Sequence, residues 1–402
     1  MHTLAQLKSG ELAGVKRLQI SANLTSLPAE ILSLADSLEI LDVSNNQLCS
    51  LPDELSQLKK LKIIFASNNR FRSLPEVLGQ CENLEMIGFK SNQIKQICGS
   101  ALPPKLRWLT LTDNRLDALP DAIGQRSQLQ KLLVAGNRLQ QLPLSLAHCT
   151  HLELLRISAN QLKQCPEHIL DLPKLAWLAF AGNPFSTADS EAPSVPFVAS
   201  SSYTLHRVLG QGASGVISKA TWNAPQQDFP HEVAVKVFKG QVTSDGYPRD
   251  ELRACLKVGD HPNLVKSLAQ VNEADCLALI MSLIPPNYKN LGLPPSLSSC
   301  TRDTFPANFS LSTAQVDKIT AQITAVFEHL HAQQVCHGDL YAHNTLFDEA
   351  ANILFGDFGA ASMYHMLSKA QQEKIRAIER RALGHFIDDL QSLCAAKSVA
   401  TI

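Results

Sequence analysis

Asparagine residues at a nearly constant spacing mark the first half of the chain. Eight of them stand 23 residues apart, with a single step of 22: Asn23, Asn46, Asn69, Asn92, Asn114, Asn137, Asn160 and Asn183. A fixed period of this size is the sequence signature of a repeat architecture. An ordinary amphipathic helical domain would not keep an asparagine in register across eight units, because the helical period is 3.6 residues.

Apolar residues recur at fixed offsets around each asparagine. The frame L-x-x-L-x-V-x-x-N-x-L, followed by Leu-Pro, occupies residues 38–52 and returns at residues 129–143. This frame resembles the leucine-rich repeat over about residues 12–185. Each unit is expected to supply one short strand, and its asparagine side chain can hydrogen-bond backbone groups where the strand ends. No unit can bury its apolar face alone, so stacked units share one continuous core.

One position of each repeat is expected to face outward on the concave side of the solenoid. Six of its eight residues are apolar, and the full row is Arg17, Ile40, Ile63, Met86, Trp108, Lys131, Leu154 and Trp177. Exposed apolar rows usually mark protein contact sites. We therefore predict a protein substrate or partner bound by Ile40, Ile63, Met86, Trp108, Leu154 and Trp177. Two alternatives stay open, a register error of one residue and a row covered by the rest of the chain.

Composition limits the remaining classes of function. The 402 residues suffice for two domains, and the net charge of −1 gives no general attraction to nucleic acid or to an anionic membrane. The ten cysteines are scattered without a C-x-x-C motif, which favours a reducing, cytoplasmic setting. The N-terminus lacks the apolar stretch of a signal peptide, and the longest apolar run, residues 276–286, is too short to span a bilayer. We expect a soluble protein that binds neither nucleic acid nor membrane.

The repeat frame stops after Asn183, and a change of composition follows. Residues 184–202 are rich in Ser, Ala and Pro and have no apolar period, as is typical of a linker. We predict a repeat domain over 1–185, a linker over 186–202 and a second domain over 203–402.

A glycine-rich segment opens the second domain. It contains G-x-G-x-x-G and consists of Leu209, Gly210, Gln211, Gly212, Ala213, Ser214, Gly215 and Val216. Alone this motif is weak, since dinucleotide-binding folds and plain turns use the same glycines. Here residues 216–221 alternate like a strand, which predicts a hairpin with the glycines at its tip. A further strand, residues 233–236, ends in Lys236.

At this point the chain resembles a eukaryotic-type protein kinase, and the later motifs follow in that family's order. They are a helix opening at Glu251, the HPNLV segment at 261–265, the HGDLYAHN segment at 337–344, and Asp-Phe-Gly at 357–359. The resemblance implies an α/β fold in which a solenoid of about eight repeats of 23 residues precedes a two-lobed kinase-like domain. It is similar to bacterial-type fusions of leucine-rich repeats with a Ser/Thr-type kinase domain.

The resemblance also implies roles for individual residues. Lys236, paired with Glu251, would contact the phosphates of ATP, and Asp339 would accept the proton of the attacking hydroxyl. Asn344 and Asp357 would hold Mg2+, since oxygen ligands suit this cation. The ATP site would be completed, beside the glycine segment, by Ala234, by Met281 at the gatekeeper position, by Leu283 and Ile284 beside the adenine, and by Leu346.

Several departures from the kinase pattern limit this transfer of roles. Gly338 replaces the arginine that usually precedes the catalytic Asp, so activation by loop phosphorylation is not expected. Tyr341 stands where serine/threonine kinases usually carry a lysine. No A-P-E motif follows residues 357–359, and Glu379 occupies the position of the helix F aspartate. We expect a shortened C-lobe, with the repeats substituting as the platform for a protein substrate.

Three functions stay open on the sequence. The first, which we favour, is transfer of the γ-phosphoryl group of ATP to a protein hydroxyl, with Ser or Thr expected although the motif does not separate them from Tyr. The second is a small-molecule phosphotransferase of the aminoglycoside or choline kinase type, which the H-G-D-x-x-x-x-N pattern also resembles. The third is a pseudokinase scaffold, against which stands the presence of Lys236, Glu251, Asp339, Asn344 and Asp357.

Overall fold

The computed structural model describes residues 1–186, 195–212, 214–224, 229–240, 242–243 and 245–394. Contacts divide the chain into two compact units, the first formed by residues 1–175 with 183–185 and the second by residues 176–182 with 186–402. The strand of the eighth repeat motif therefore belongs to the second unit. So does the described part of the predicted linker, in which the backbone N–H of Val198 donates to the carbonyl of Gln270 over 2.9 Å.

Short parallel strands, one from each repeat, build the first unit. They are β1 (Arg17–Gln19), β2 (Ile40–Asp42), β3 (Ile63–Phe65), β4 (Met86–Gly88), β5 (Trp108–Thr110), β6 (Lys131–Leu133) and β7 (Leu154–Arg156). The sheet follows chain order, with β8 (Trp177–Ala179) as its eighth strand. This arrangement confirms the predicted solenoid.

Short helices return the chain from one strand to the next. Helix α1 (Leu4–Lys8) precedes β1, and helix α2 (Glu167–Leu170) precedes β8. Short 3-10 helices connect the other strands, at Ala29–Leu34, Asp53–Gln57, Glu76–Gln80, Gly99–Ala101, Asp121–Gln125 and Leu144–His148. The proline of the recurring Leu-Pro pair stands just before most of these helices, as at Pro52 and Pro143, where its fixed φ directs the chain into the turn.

The repeated asparagines form a ladder inside the first unit. Asn137 shows the arrangement: its Nδ2 donates to the carbonyls of Leu111 (3.0 Å) and Val134 (2.9 Å), and its Oδ1 accepts from the N–H of Leu116 (2.9 Å). Each such side chain therefore bonds the backbone of its own repeat and of the preceding one. The ladder runs from Asn46 to Asn183. Asn23 is the exception, since it is exposed and has a φ of 54°.

The predicted concave row is in register, but most of it is not exposed. The first residues of β1–β7 pair across neighbouring strands, beginning with Arg17 opposite Ile40. The expectation of exposure is wrong for four of the six apolar members, which are buried: Ile63, Met86, Leu154 and Trp177. Neighbours in the row stand about 4.8 Å apart and shield one another, and Trp177 packs within the second unit. Ile40 and Trp108 are half-buried.

An antiparallel sheet and one helix begin the second unit. The sheet contains β9 (Tyr203–Gln211), β10 (Gly215–Trp222), β11 (Glu232–Phe238), β12 (Ser267–Asn272) and β13 (Leu277–Met281), in the order β12-β13-β11-β10-β9. Helix α3 (Pro248–Val258) follows β11, and it begins with a proline, which needs no N–H in the first turn. A buried cluster on the sheet includes Val233, Val235, Val271 and Ile280.

The rest of the second unit consists of two long helices and short hairpins. The elements are β14 (Lys289–Asn290), α4 (Thr313–Ala332), β15 (Val335–Cys336), β16 (Thr345–Phe347), β17 (Ile353–Phe355), β18 (Ser362–Met363) and α5 (Lys369–Ser392). Capping boxes at Ser312 and Ser368 start the two helices. The loop β15–β16 carries the HGDLYAHN motif, and the loop β17–β18 carries the Asp-Phe-Gly motif.

None of the ten cysteines, all of which lie in the described ranges, forms a disulfide bond. No helix in the described ranges combines the length and the apolar character needed to cross a membrane.

Candidate active site

The glycine-rich segment lies at the tip of the β9–β10 hairpin. The strand expected after the glycines is present, which distinguishes this loop from a dinucleotide-binding loop that leads into a helix. The N–H of Gly212 donates to the carbonyl of Gly215 over 3.0 Å. A Cβ at Gly215 would lie 2.4 Å from the carbonyl oxygen of Val237, so β11 excludes any side chain there. Ala213 lies outside the described residues.

Lys236 and Glu251 form a buried ion pair between strand β11 and helix α3. The Lys236 Nζ donates to Glu251 Oε1. Their side chains are only 11% and 3% exposed. Burial alone would lower the pKa of Lys236, but the charges of Glu251 and Asp357 outweigh it, so the pKa lies above its ordinary value. Lys236 therefore stays protonated, and its ion pair with Glu251 holds helix α3 to strand β11.

The predicted adenine contacts lie on or next to strands β11, β13 and β16. Ala234 is buried on β11 and pairs with Met281 on β13, so these two residues lie side by side. Leu283 is half-buried just after β13, and Leu346 is half-buried on β16. Ile284 is exposed. Of these predicted contacts, Ala234 and Met281 pair with each other, whereas Leu346 pairs with Asn290 and Leu354.

The catalytic loop between β15 and β16 holds Asp339 and Asn344 together. The Nδ2 of Asn344 donates to Asp339 Oδ2 over 2.9 Å and to the Asp339 carbonyl over 3.1 Å. The N–H of Asp339 donates to Nδ1 of the buried His337 over 3.3 Å. Because Nδ1 accepts, the proton of this imidazole lies on Nε2.

His337 joins the catalytic loop to the Asp-Phe-Gly segment. Its Nε2 lies 3.1 Å from the carbonyl oxygen of Gly356, and its ring centroid lies 4.3 Å from that of Phe355 and 5.1 Å from that of Phe358. Asp357 follows with a φ of 58°, a conformation uncommon for a residue with a side chain and often found at functional sites. The imidazole therefore sets the position of Asp357 relative to Asp339.

Glu379 of helix α5 anchors the other side of the catalytic loop. Its Oε1 accepts hydrogen bonds from the N–H groups of His337 (2.7 Å) and Gly338 (2.9 Å). Burial raises the pKa of this carboxyl to about 7, although the two N–H donors oppose the rise. Glu379 thus joins helix α5 to the backbone at His337 and Gly338.

The replacement of arginine by Gly338 has a steric explanation. Gly338 has a φ of 71°, which disfavours side chains. A Cβ there would lie 2.6 Å from the carbonyl oxygen of Leu178 and 3.0 Å from that of Ala360. Backbone from two sides thus occupies the volume that an arginine would need.

Three residues that contact the active-site loops were not assigned to this site from the sequence. Asp303 Oδ1 accepts from the N–H of Ala342 over 2.9 Å, and burial raises the pKa of Asp303 to about 7. Trp177 donates to the carbonyl of Leu340 in the catalytic loop. Ser362 lies in the segment after Asp-Phe-Gly and accepts from the N–H groups of Phe180 and Ala181. Trp177 carries a repeat signal that pointed to the solenoid, and the sequence around the other two offers no motif.

The donor set suits a magnesium nucleotide. Within the described residues no three His, Cys, Asp or Glu side chains converge to form a metal site. Mg2+ in nucleotide enzymes usually takes only one or two protein ligands and completes its shell with phosphates and water. The carboxylate of Asp357 and the amide of Asn344 are oxygen donors of this kind.

Comparison with protein families agrees with this geometry. Residues 203–377 match the family described as the protein kinase domain, and residues 37–58 and 104–162 match leucine-rich repeat families. The chain therefore is a fusion of leucine-rich repeats with a protein kinase domain.

Individual relatives match less than half of this chain. The chain is 30% identical over 162 residues to the tyrosine-protein kinase receptor TYRO3 of Gallus gallus, covering 39% of this chain and 18% of the receptor. It is 31% identical over 182 residues to the serine/threonine-protein kinase PkaA of Streptomyces coelicolor, covering 40% and 30%. The chain thus spans less than a third of either relative.

A solved structure of a leucine-rich repeat protein from Leptospira interrogans is also similar to part of the chain. The match has 25% sequence identity and a TM-score of 0.30, and it covers 44% of this chain and 57% of the other.

Proposed function

We propose that this protein is an ATP-dependent protein kinase that transfers the γ-phosphoryl group to a protein hydroxyl. The observation that carries the proposal is the joint placement of Lys236, Glu251, Asp339, Asn344 and Asp357. Lys236 and Glu251 form their ion pair, Asn344 orients Asp339, and His337 ties their loop to that of Asp357. A pseudokinase does not need these five groups for phosphoryl transfer, so selection would not keep all of them in these ion-paired and hydrogen-bonded positions.

Each side chain then has a task in the reaction. The Lys236 ammonium contacts the ATP phosphates, and Glu251 keeps it in place. Asp339 would accept the proton of the attacking hydroxyl, a contribution of about 10²–10⁴-fold. Asn344 and Asp357 would hold a magnesium ion, which would supply charge neutralisation at the phosphates. The β9–β10 hairpin offers backbone N–H groups that cover the phosphates.

We propose serine or threonine as the acceptor. The ring of Tyr341 is buried, at 3% exposure, so it does not project toward the γ-phosphate as the usual lysine would. The reaction then depends on Lys236 and the magnesium for charge at the phosphates. The remaining catalytic groups do not separate aliphatic from phenolic hydroxyls, so support for serine or threonine comes from the similarity to the serine/threonine-protein kinase PkaA of Streptomyces coelicolor.

We propose that the repeats bind the protein substrate or partner. Of the predicted apolar row, Ile40 and Trp108 keep partial exposure, and the Lys131 ammonium lies 4.2 Å from the centroid of the Trp108 ring. A half-exposed indole beside a cation is a common element of protein contact sites. Binding energy from such a remote surface can orient the substrate at the reacting centre. We propose a cytoplasmic setting, in keeping with ten cysteines that form no disulfide bond.

A transfer assay with radiolabelled ATP tests the proposal. Generic protein substrates, a choline-like alcohol and an aminoglycoside serve as acceptors, and Asp339→Asn is the control. We expect label on protein from the native chain, recovered as phosphoserine or phosphothreonine after acid hydrolysis. Label on the small molecules alone would overturn the protein-kinase proposal, and label on no acceptor would favour a scaffold.

A further inference from the structure

Trp177 packs against the catalytic loop and against helix α5. Its indole Nε1 donates to the carbonyl of Leu340, next to Asp339, over 3.0 Å. The indole stacks on Tyr341, with 5.2 Å between ring centroids and 3° between planes, and on His385 of α5, with 5.5 Å and 16°. The side chain is 2% exposed. Trp177 therefore fixes both the backbone and one side chain of the loop that carries the catalytic Asp.

The following residues contact the segment after Asp-Phe-Gly. The buried Ser362, on β18, accepts with its Oγ from the N–H groups of Phe180 (2.9 Å) and Ala181 (3.0 Å). Without this hydroxyl, two buried backbone donors would lose their partner, and each such loss is costly. The serine thus joins β18, five residues after Asp357, to residues 180 and 181.

The end of the same stretch contacts helix α3. Gly182 has a φ of 74°, and a Cβ there would lie 2.6 Å from Asp250 Oδ2 and 2.8 Å from the ring of Tyr247. Asp250 immediately precedes Glu251, the partner of Lys236. Six consecutive residues therefore contact the catalytic loop, the segment after Asp-Phe-Gly and the helix that carries the ion pair.

We propose that residues 177–182, here called the clamp, are a positioning element that holds these three parts of the kinase site in their transfer-competent arrangement. In kinases regulated by phosphorylation, an arginine before the catalytic Asp binds a phosphorylated loop and orders it. Here Gly338 leaves no arginine, and the backbone of Leu178 fills the space beside it. The clamp supplies permanent packing and hydrogen bonds in place of that switch. This inference rests on the proposed kinase function.

Two variants of the full chain test the clamp. Ser362→Ala removes the acceptor for two N–H groups, and Trp177→Phe removes the Nε1–H donor but keeps an aromatic ring. We expect each to lower kcat by about 10-fold, since one lost hydrogen bond of this kind corresponds to about a factor of ten in rate. The KM for ATP should stay within about twofold, because none of these contacts is made to the nucleotide site. Partial unfolding would also lower the apparent kcat at unchanged KM, so the folded fraction of each variant is measured by circular dichroism and kcat is expressed per folded chain.

Ser158→Ala is the matched control. Ser158 is also a buried serine, but it belongs to the first unit. Its loss should leave kcat unchanged. Equal kcat values for Ser362→Ala, Trp177→Phe and the native chain would overturn the clamp.

Amide hydrogen exchange separates failure of the clamp from failure of the kinase proposal. If the native chain transfers no phosphate, the proposed function fails, and the clamp is judged by exchange in Ser362→Ala. Faster exchange at residues 180–181 and in the catalytic loop would support the clamp. Faster exchange confined to residues 180–181, or none, would overturn it.

Discussion

Replacing Glu379 with Gln should remove a pH dependence of folding stability that comes from this one carboxyl. Gln keeps an oxygen that can accept from the N–H groups of His337 and Gly338, but it has no titrating proton. In the native chain, burial raises the pKa of Glu379 from an ordinary 4.5 to about 7. The folded state therefore binds a proton that the unfolded state releases between these two values.

The sign and size of the effect follow from this difference. A raised acid pKa contributes stability that is fully present below the unfolded pKa and is lost as the pH rises through the folded pKa. The full loss is about 3 kcal/mol at 1.36 kcal/mol per pKa unit, and roughly 2 kcal/mol of it falls between about pH 5.5 and about pH 8. Over that range the native chain should lose about 2 kcal/mol relative to Glu379→Gln.

Urea unfolding of both proteins at the two pH values provides the measurement. The transition of the second unit is identified as the one that a non-hydrolysable ATP analogue shifts to higher urea, because a ligand stabilises the unit that binds it. Asp303, with a pKa of about 7, is present in both proteins and largely cancels in the difference. His331, whose Nε2 lies 3.9 Å from Glu379 Oε2, has a pKa lowered to about 4 by burial and is therefore neutral in the folded state over this pH range. Equal pH dependence in the two proteins would refute the reasoning from burial.

Three further outcomes are expected. Lys236→Met and Asp357→Ala should each lower phosphoryl transfer by about 10²–10³-fold while the circular dichroism of the repeats stays unchanged; near-native turnover in either variant would remove that residue from the proposed mechanism. Because Gly338 leaves no arginine, phosphatase treatment should not change activity, and a loss that incubation with ATP restores would contradict this. Asn137→Ala should destabilise the first unit by about 2–4 kcal/mol through orphaned backbone groups, against about 0.5 kcal/mol or less for the exposed Asn23→Ala; similar effects would argue against the ladder.

The repeat half of the fold could be predicted from the sequence because the spacing of the asparagines equals the length of one structural repeat. Each asparagine bonds backbone groups of two adjacent repeats, and this requires the spacing that the sequence displays. The exposure of the concave row could not be predicted in this way. Register determines which residues form a row, as Arg17 opposite Ile40 illustrates, but burial depends on what packs against it, and Met86 is only 2% exposed.

In the kinase half, local motifs predicted the residues that form the site but not the contacts that hold them. The ion pair between Lys236 and Glu251 joins positions only 15 residues apart within a familiar order of motifs. The hydrogen bonds of Trp177 and Phe180 join positions 163 and 182 residues apart. Such contacts arise from the folded backbone and leave no periodic or local signal. The sequence alone shows that glycine replaces arginine at position 338. The steric reason for this glycine becomes clear only from the folded position of the Leu178 backbone.

The central claim is that Asp339 takes part in phosphoryl transfer to a protein hydroxyl. The most direct test is the single-turnover rate of transfer from radiolabelled ATP to a protein acceptor, measured for the native chain and for Asp339→Asn at saturating nucleotide. We predict a fall of about 10²–10⁴-fold in the variant, with the affinity for a non-hydrolysable ATP analogue unchanged. Equal rates in the two proteins, or no transfer by the native chain, would contradict the assignment.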